Sequence, residues 1–256
     1  MPFANVGGEK IYYTQQGQQG IPVVFVHGAA SSHLIWNMQT RALGAVARAV
    51  ALDLPGHGKS QGAGRSTVDA YRDVVLGLLD ALGFDRAIIV GHSMGGAIAQ
   101  TLALSHPDRV AGLGLVGTGA RLRVLPVILD GVLSPSDFDN IARMVTEYSF
   151  APDADASLCQ LAEEQFRVCP ASVTHGDFSA CDKFDVMTRI AEIRAPVLVI
   201  CGREDRMTPV KYSEFFKSKM PQARLVLIEG AGHSVMVEKP DEVNHALVGF
   251  VTTQSP

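Results

Sequence analysis

The stretch Ala87-Ile88-Ile89-Val90-Gly91-His92-Ser93-Met94-Gly95-Gly96 decides the fold. An unbroken apolar run meets a glycine-flanked serine, and a helical pattern follows from Gly96 to Leu104. Gly91-His92-Ser93-Met94-Gly95 is a G-x-S-x-G sequence in the strand–turn–helix context that this motif requires. Such a turn is too tight for side chains two before and two after the serine. It lifts the Ser93 hydroxyl clear of the sheet and aims a helix N-terminus at it, where the dipole and the free Met94 N–H stabilise a developing oxyanion.

Similar short apolar runs recur on both sides: Val23 to Val26, Ala49 to Leu52, Leu113 to Val116, Val197 to Ile200 and Leu225 to Ile228. Continuous rather than alternating apolar runs suit strands buried on both faces, the habit of a parallel sheet. Between them, Ser66 to Leu82 and Pro240 to Phe250 carry apolar residues at helical spacing, with Pro240 placed for a first turn. Alternating strands and helices predict an α/β fold with a mostly parallel central sheet flanked by helices. The alternation stops between about Ala120 and Arg189, where only helical patterns occur. The expected organisation is therefore a core of residues 1–119 and 190–256, with residues 120–189 inserted as a helical cap over the carboxyl edge of the sheet. That segment holds six basic against eleven acidic residues, a net charge of −5, and leaves the rest at +1.

A serine hydroxyl is a weak nucleophile and needs a base that an acid orients. In this fold the chain order is serine, acid, histidine, each at a strand end. Of the later histidines, His106 sits at a helix end, His175 in the insertion and His245 inside the last helix. His233 lies in a glycine-flanked loop after a strand and is the expected base. The loop after Leu113 to Val116 holds no carboxylate, so the acid comes from Gly202-Arg203-Glu204-Asp205-Arg206-Met207-Thr208-Pro209. Asp205 is the favoured acid and Glu204 the runner-up, its alternative role being an ion pair with Arg203 or Arg206. The second oxyanion donor is expected from the backbone of Ala29, after His27-Gly28, with His27 itself a loop-stapling hydrogen bonder.

His27-Gly28, Asp53-Leu54-Pro55-Gly56-His57-Gly58-Lys59-Ser60, Gly91 to Gly96, Gly202 to Pro209 and Gly232-His233 together resemble the α/β-hydrolase superfamily over essentially the whole chain. The resemblance implies an eight-stranded sheet, a lid in the place of residues 120–189, and a triad of Ser93, Asp205 and His233. Within the superfamily the sequence is similar to small bacterial carboxylesterases, including pimeloyl-ester esterases and monoacylglycerol lipases. A serine at the elbow argues against haloalkane dehalogenases and epoxide hydrolases, which use aspartate there. His92 stands where carbon–carbon bond hydrolases usually carry asparagine.

The chain has 256 residues, 47% of them hydrophobic, with a net charge of −4. That excludes intrinsic disorder and disfavours phosphate-driven nucleic-acid binding or a basic lipid-binding helix. No apolar stretch approaches the ~20 residues of a membrane span. The first residues do not read as an export signal, and Cys159, Cys169, Cys181 and Cys201 lack metal spacing, so reduced thiols and the cytoplasm are expected. No metal cluster appears, and Gly112-Leu113-Gly114-Leu115-Val116-Gly117 is itself strand-like rather than opening a helix, so no cofactor is expected. The expected partner is a small-molecule ester, largely neutral because the insertion is acidic, with no nucleic acid and no membrane. Carbon–carbon cleavage or cofactor-free perhydrolysis by the same triad, and a non-catalytic ligand receptor, are the alternatives. Trp36, Met38, Phe138, Tyr148, Phe166 and Phe178 are candidate pocket-lining residues, each also fitted to ordinary core.

Overall fold

A computed structural model describes residues 3–254. Eight strands form one sheet: β1 (Phe3–Val6), β2 (Glu9–Gln16), β3 (Pro22–Val26), β4 (Arg48–Leu52), β5 (Ala87–His92), β6 (Val110–Val116), β7 (Val197–Gly202) and β8 (Arg224–Ile228), in the order β1-β2-β4-β3-β5-β6-β7-β8. Only β1 with β2 and β2 with β4 run antiparallel; every pair from β4 onward is parallel. The six apolar runs read from the sequence all fall within strands. The hairpin β1–β2 escapes that reading because β1 is only four residues long and β2 mixes polar with apolar residues and is mostly half-buried. Gly7 and Gly8 (φ +58° and +88°) make its two-residue turn, the backbone that such hairpins need.

Both faces of the sheet are covered, which is why the runs are continuous. On one face Ile89 packs with α2 (Val68–Ala81) and α3 (Met94–Ser105). On the other, Ile88 and Val90 pack with Trp36, Val243, Leu247 and Phe250, from the turn before α1 (Asn37–Leu43) and from α10 (Pro240–Gln254). α8 (Val210–Lys219) and the short α9 (Val235–Glu238) complete the layers.

Between β6 and β7 the chain forms α4 (Pro126–Gly131), α5 (Phe138–Ser149), α6 (Ala156–Val168) and α7 (Ala171–Lys183). Its extended pairing, among the described residues, is one isolated bridge between Arg121 and Asp185. Ile128, Ile141, Val145, Phe166, Val173 and Phe178 give these helices a core of their own, and Ala30 from the loop after β3 joins it. Tyr148, near the end of α5, stands outside that core. It is exposed and holds the Arg206 guanidinium over its ring.

Candidate active site

Ser93 joins β5 to α3 with φ +51° and ψ −116°, a backbone that a residue with a Cβ adopts only under constraint. The constraint is visible. The Ser93 N–H donates to Val116 O at 3.0 Å, and its carbonyl accepts from Gly96 N at 2.9 Å and from Thr118 Oγ1 at 2.8 Å. A Cβ on Gly91 would fall on the Gly95 carbonyl, and one on Gly95 would fall on the Val26 carbonyl of β3. The elbow therefore presses α3 onto the central strands and leaves Ser93 half-exposed at the sheet's carboxyl edge.

Asp205 and His233 come from the loops after β7 and β8 and meet there. His233 Nδ1 lies 3.0 Å from Asp205 Oδ2, both residues being buried. Asp205 Oδ1 accepts from the backbone N–H of Met207 (2.9 Å) and Thr208 (2.7 Å), and Thr208 Oγ1 donates to Oδ2 at 2.7 Å. Burial alone would raise this carboxyl. The His233 charge and hydrogen bond, with the Thr208 donors, overcome that and hold it at about 2. Thr208, not singled out from the sequence, thus supplies two of the three donors around the Asp205 carboxylate apart from His233. Glu204 makes neither ion pair expected of it. Its Oε2 accepts from Ala231 N at 2.9 Å and braces the histidine loop, while Arg203 pairs with Glu229.

His92 supports the same loop. Its Nε2 donates to the His233 carbonyl at 3.1 Å, and the two rings lie 4.6 Å apart. Burial, then the neighbouring His233, push His92 well below the usual histidine range, so it is neutral. Among the described residues the hydrogen bonds of the His233 ring run through Nδ1, and Ser93 Oγ makes none. Gly232 N donates to Glu238 Oε1 at 2.8 Å. The other oxygen of Glu238 accepts from Ala151 N at 2.9 Å, tying the histidine loop to the α5–α6 junction.

Met94 opens α3, so its N–H has no intrahelical acceptor. The Ala29 N–H is likewise free among the described residues, and His27 fixes its direction. His27 Nε2 accepts from Leu54 N at 3.0 Å, which leaves the proton on Nδ1 to be donated to Gly28 O at 2.8 Å. Gly28 O and Ala29 N belong to one peptide plane, and trans geometry points the N–H the opposite way. His27 is the stapling residue expected from the sequence, acting on the plane that carries the expected oxyanion donor. Burial, then His57, push it down to about 4, so it stays neutral.

Two cavities lie among the inserted helices, and the larger reaches the site. One of about 380 Å³ runs from Ala29, His92 and Ser234 to Leu158, Ala162 and Phe166 under the inserted helices. The other, about 220 Å³, includes Ile128, Tyr148, Phe178 and Met207. Of the six candidate pocket residues, Phe166, Tyr148 and Phe178 line these spaces, and Phe138 packs on Phe166. Trp36 is instead core, 5.1 Å from the Phe25 ring, and Met38 is exposed.

A mostly parallel eight-stranded sheet with a strained serine elbow and a later Asp–His pair defines an α/β hydrolase. Comparison with known proteins agrees: the chain belongs to the alpha/beta hydrolase fold family, whose profile matches residues 21–240. It is similar to a thermophilic esterase of solved structure, with 36% identity over 98% of this chain and 97% of that one and a TM-score of 0.87. It is 31% identical to a 2-hydroxy-6-oxononadienedioate/2-hydroxy-6-oxononatrienedioate hydrolase of Paraburkholderia xenovorans, over 96% of this chain and 91% of the relative. A pimeloyl-[acyl-carrier protein] methyl ester esterase of Neisseria meningitidis is 29% identical over 86% of this chain and 75% of its own length.

Proposed function

We propose that the protein hydrolyses carboxylic esters of small-to-medium, largely neutral substrates through an acyl-enzyme on Ser93. The observation that carries this is the buried Asp205–His233 pair, 3.0 Å between heavy atoms, beside a serine held at φ +51° on the elbow. Asp205 accepts a hydrogen bond from Nδ1–H and so leaves Nε2 free to take the proton of Ser93. That transfer needs Ser93 Oγ and Nε2 to close to hydrogen-bond distance as the ester enters. Oxygen attack on the carbonyl places negative charge between the Ala29 and Met94 N–H groups, each worth about 10²–10³ in rate. The proton on His233 passes to the leaving alcohol, and water activated by the same ring then releases the acid. The insertion 120–189 serves as a lid whose apolar cavities receive the substrate, and its acidic character disfavours polyanions. A reducing, cytoplasmic setting is part of the same proposal; among the described residues no helix is long and apolar enough to cross a membrane.

Ser93→Ala should abolish p-nitrophenyl butyrate turnover while the protein stays folded; retained turnover would remove the proposal. A second reading, carbon–carbon cleavage by the same residues, is favoured by the similarity to the dienedioate hydrolase. A vinylogous diketone cleaved faster than short aryl esters would replace the first reading by the second.

A further inference from the structure

The apolar stripe of α7 carries one carboxylate. Asp177 lies on it with Val173, Thr174, Phe178 and Cys181 and is fully buried. Its Oδ2 accepts from Ala30 N at 2.8 Å and from His57 Nε2 at 2.8 Å; its Oδ1 accepts from the Tyr71 hydroxyl at 2.5 Å. The other nitrogen of His57 faces the Pro55 carbonyl at 3.0 Å. Asp177 and the Pro55 carbonyl are both acceptors, with the Cys169 side chain as a further neighbour, so the ring carries both protons and the pair is ionic. Burial opposes that charge, but Asp177 prevails and the His57 pKa stands well above the usual histidine value. A buried ion pair is a weak contributor to stability compared with apolar packing of the same volume, and this one is placed next to the expected oxyanion donor.

Ala30 has φ +50°, the left-handed region that residues with a Cβ rarely adopt. The hydrogen bond to Asp177 holds it there. Ala29 is thereby gripped on both sides: His27 fixes the peptide plane before it, and Asp177 fixes the plane after it. We infer that Asp177 is a positioning residue for the oxyanion hole, holding the Ala30 N–H so that, together with His27, it keeps the Ala29 N–H aimed while helix α7 is seated on the core. This rests on the serine-hydrolase reading given above. It makes the lid part of the rate machinery as well as a cover.

The test uses the full chain, p-nitrophenyl butyrate, active sites counted with a serine-directed phosphonate, and phenylboronic acid, whose tetrahedral serine adduct places an oxygen in the hole. In Asp177→Ala, kcat per active site should fall by about 10- to 100-fold, short of the 10²–10³ for outright loss of a donor. KM should stay within about twofold, and boronate affinity should fall by the same factor as kcat. Asp177→Asn keeps a carbonyl oxygen for Ala30 N and should recover most of that loss. Should Asp177→Ala not fold, H57L/Y71F/D177L removes the whole polar cluster without stranding a buried charge; it should fold and show the same parallel loss. Wild-type kcat and boronate affinity in either folded variant would overturn the inference, as would a kcat loss with unchanged boronate affinity. A wild-type protein that neither hydrolyses the ester nor binds the boronate would instead remove the serine-hydrolase reading and this inference with it.

Discussion

Replacing Asp205 by asparagine isolates what the acid does, because the structure dictates which way the amide must sit. Two backbone donors, Met207 N and Thr208 N, point at Oδ1. In Asp205→Asn that place must be taken by the carbonyl oxygen, so the NH₂ replaces Oδ2, opposite Thr208 Oγ1 and His233 Nδ1. An NH₂ group only donates, which makes Nδ1 the acceptor and puts the ring proton on Nε2, where it blocks uptake of the serine proton. By analogy with the same exchange in another serine enzyme the loss in kcat is about 10⁴, or roughly 5 kcal/mol of barrier. The stability loss is smaller: holding the carboxyl at about 2 rather than the ordinary 3.8 is worth roughly 2 kcal/mol at neutral pH. Steady-state hydrolysis of p-nitrophenyl butyrate, normalised to phosphonate-titrated sites, and a urea midpoint read the two effects separately. Glu204→Gln is the control, since its side-chain oxygen can still accept from Ala231 N, and it should change kcat less than about threefold. A kcat for Asp205→Asn within tenfold of wild type would refute the tautomer argument.

Acid should weaken the fold through His27. Its pKa is about 4 in the fold against 6.5 for a free histidine, so between those values only the unfolded chain takes up the proton. Stability therefore drops as pH falls through that window, by roughly 3 kcal/mol in all, and a urea titration should find part of that slope missing in His27→Asn. His57 works in the opposite sense: its raised pKa stabilises fully below 6.5 and the benefit is lost as pH rises through the folded value, so unfolding of His57→Leu should show a flatter dependence at alkaline pH. Ala162 borders the cavity of about 380 Å³; Ala162→Phe should raise KM for hexanoate esters severalfold over acetate, and equal effects on both would take this cavity out of acyl recognition. Glu238→Ala strands the Ala151 and Gly232 amides and should cost about 2–4 kcal/mol; hydrogen exchange should quicken at both amides, and unchanged exchange would deny that Glu238 joins the inserted helices to the histidine loop.

The parallel sheet was legible because burial on both faces writes each strand as an unbroken apolar run. The second strand, Glu9–Gln16, was not, since Ile11 is its one fully enclosed side chain; the Gly7-Gly8 pair was the available signal. At the site, Ser93, Asp205 and His233 were readable because each stands where a strand ends at a glycine-bearing loop. Thr208, Glu238 and Asp177 were not, since they act on backbone groups or on other side chains far along the chain, and spacing carries no trace of such partners. Asp177 did leave a clue, a carboxylate on the buried stripe of an amphipathic helix, where a charge needs a partner. Tyr148 was legible as a cavity residue, which it is, but not as the exposed ring beneath Arg206 that it also provides.

Acid quench of the protein during p-nitrophenyl butyrate turnover, followed by peptide mass spectrometry, addresses the covalent step without inference from rates. The account predicts one butyryl group, on the peptide containing Ser93 and localised to that residue, and none after Ser93→Ala. Turnover that leaves Ser93 unmodified while another side chain carries the acyl group would contradict it.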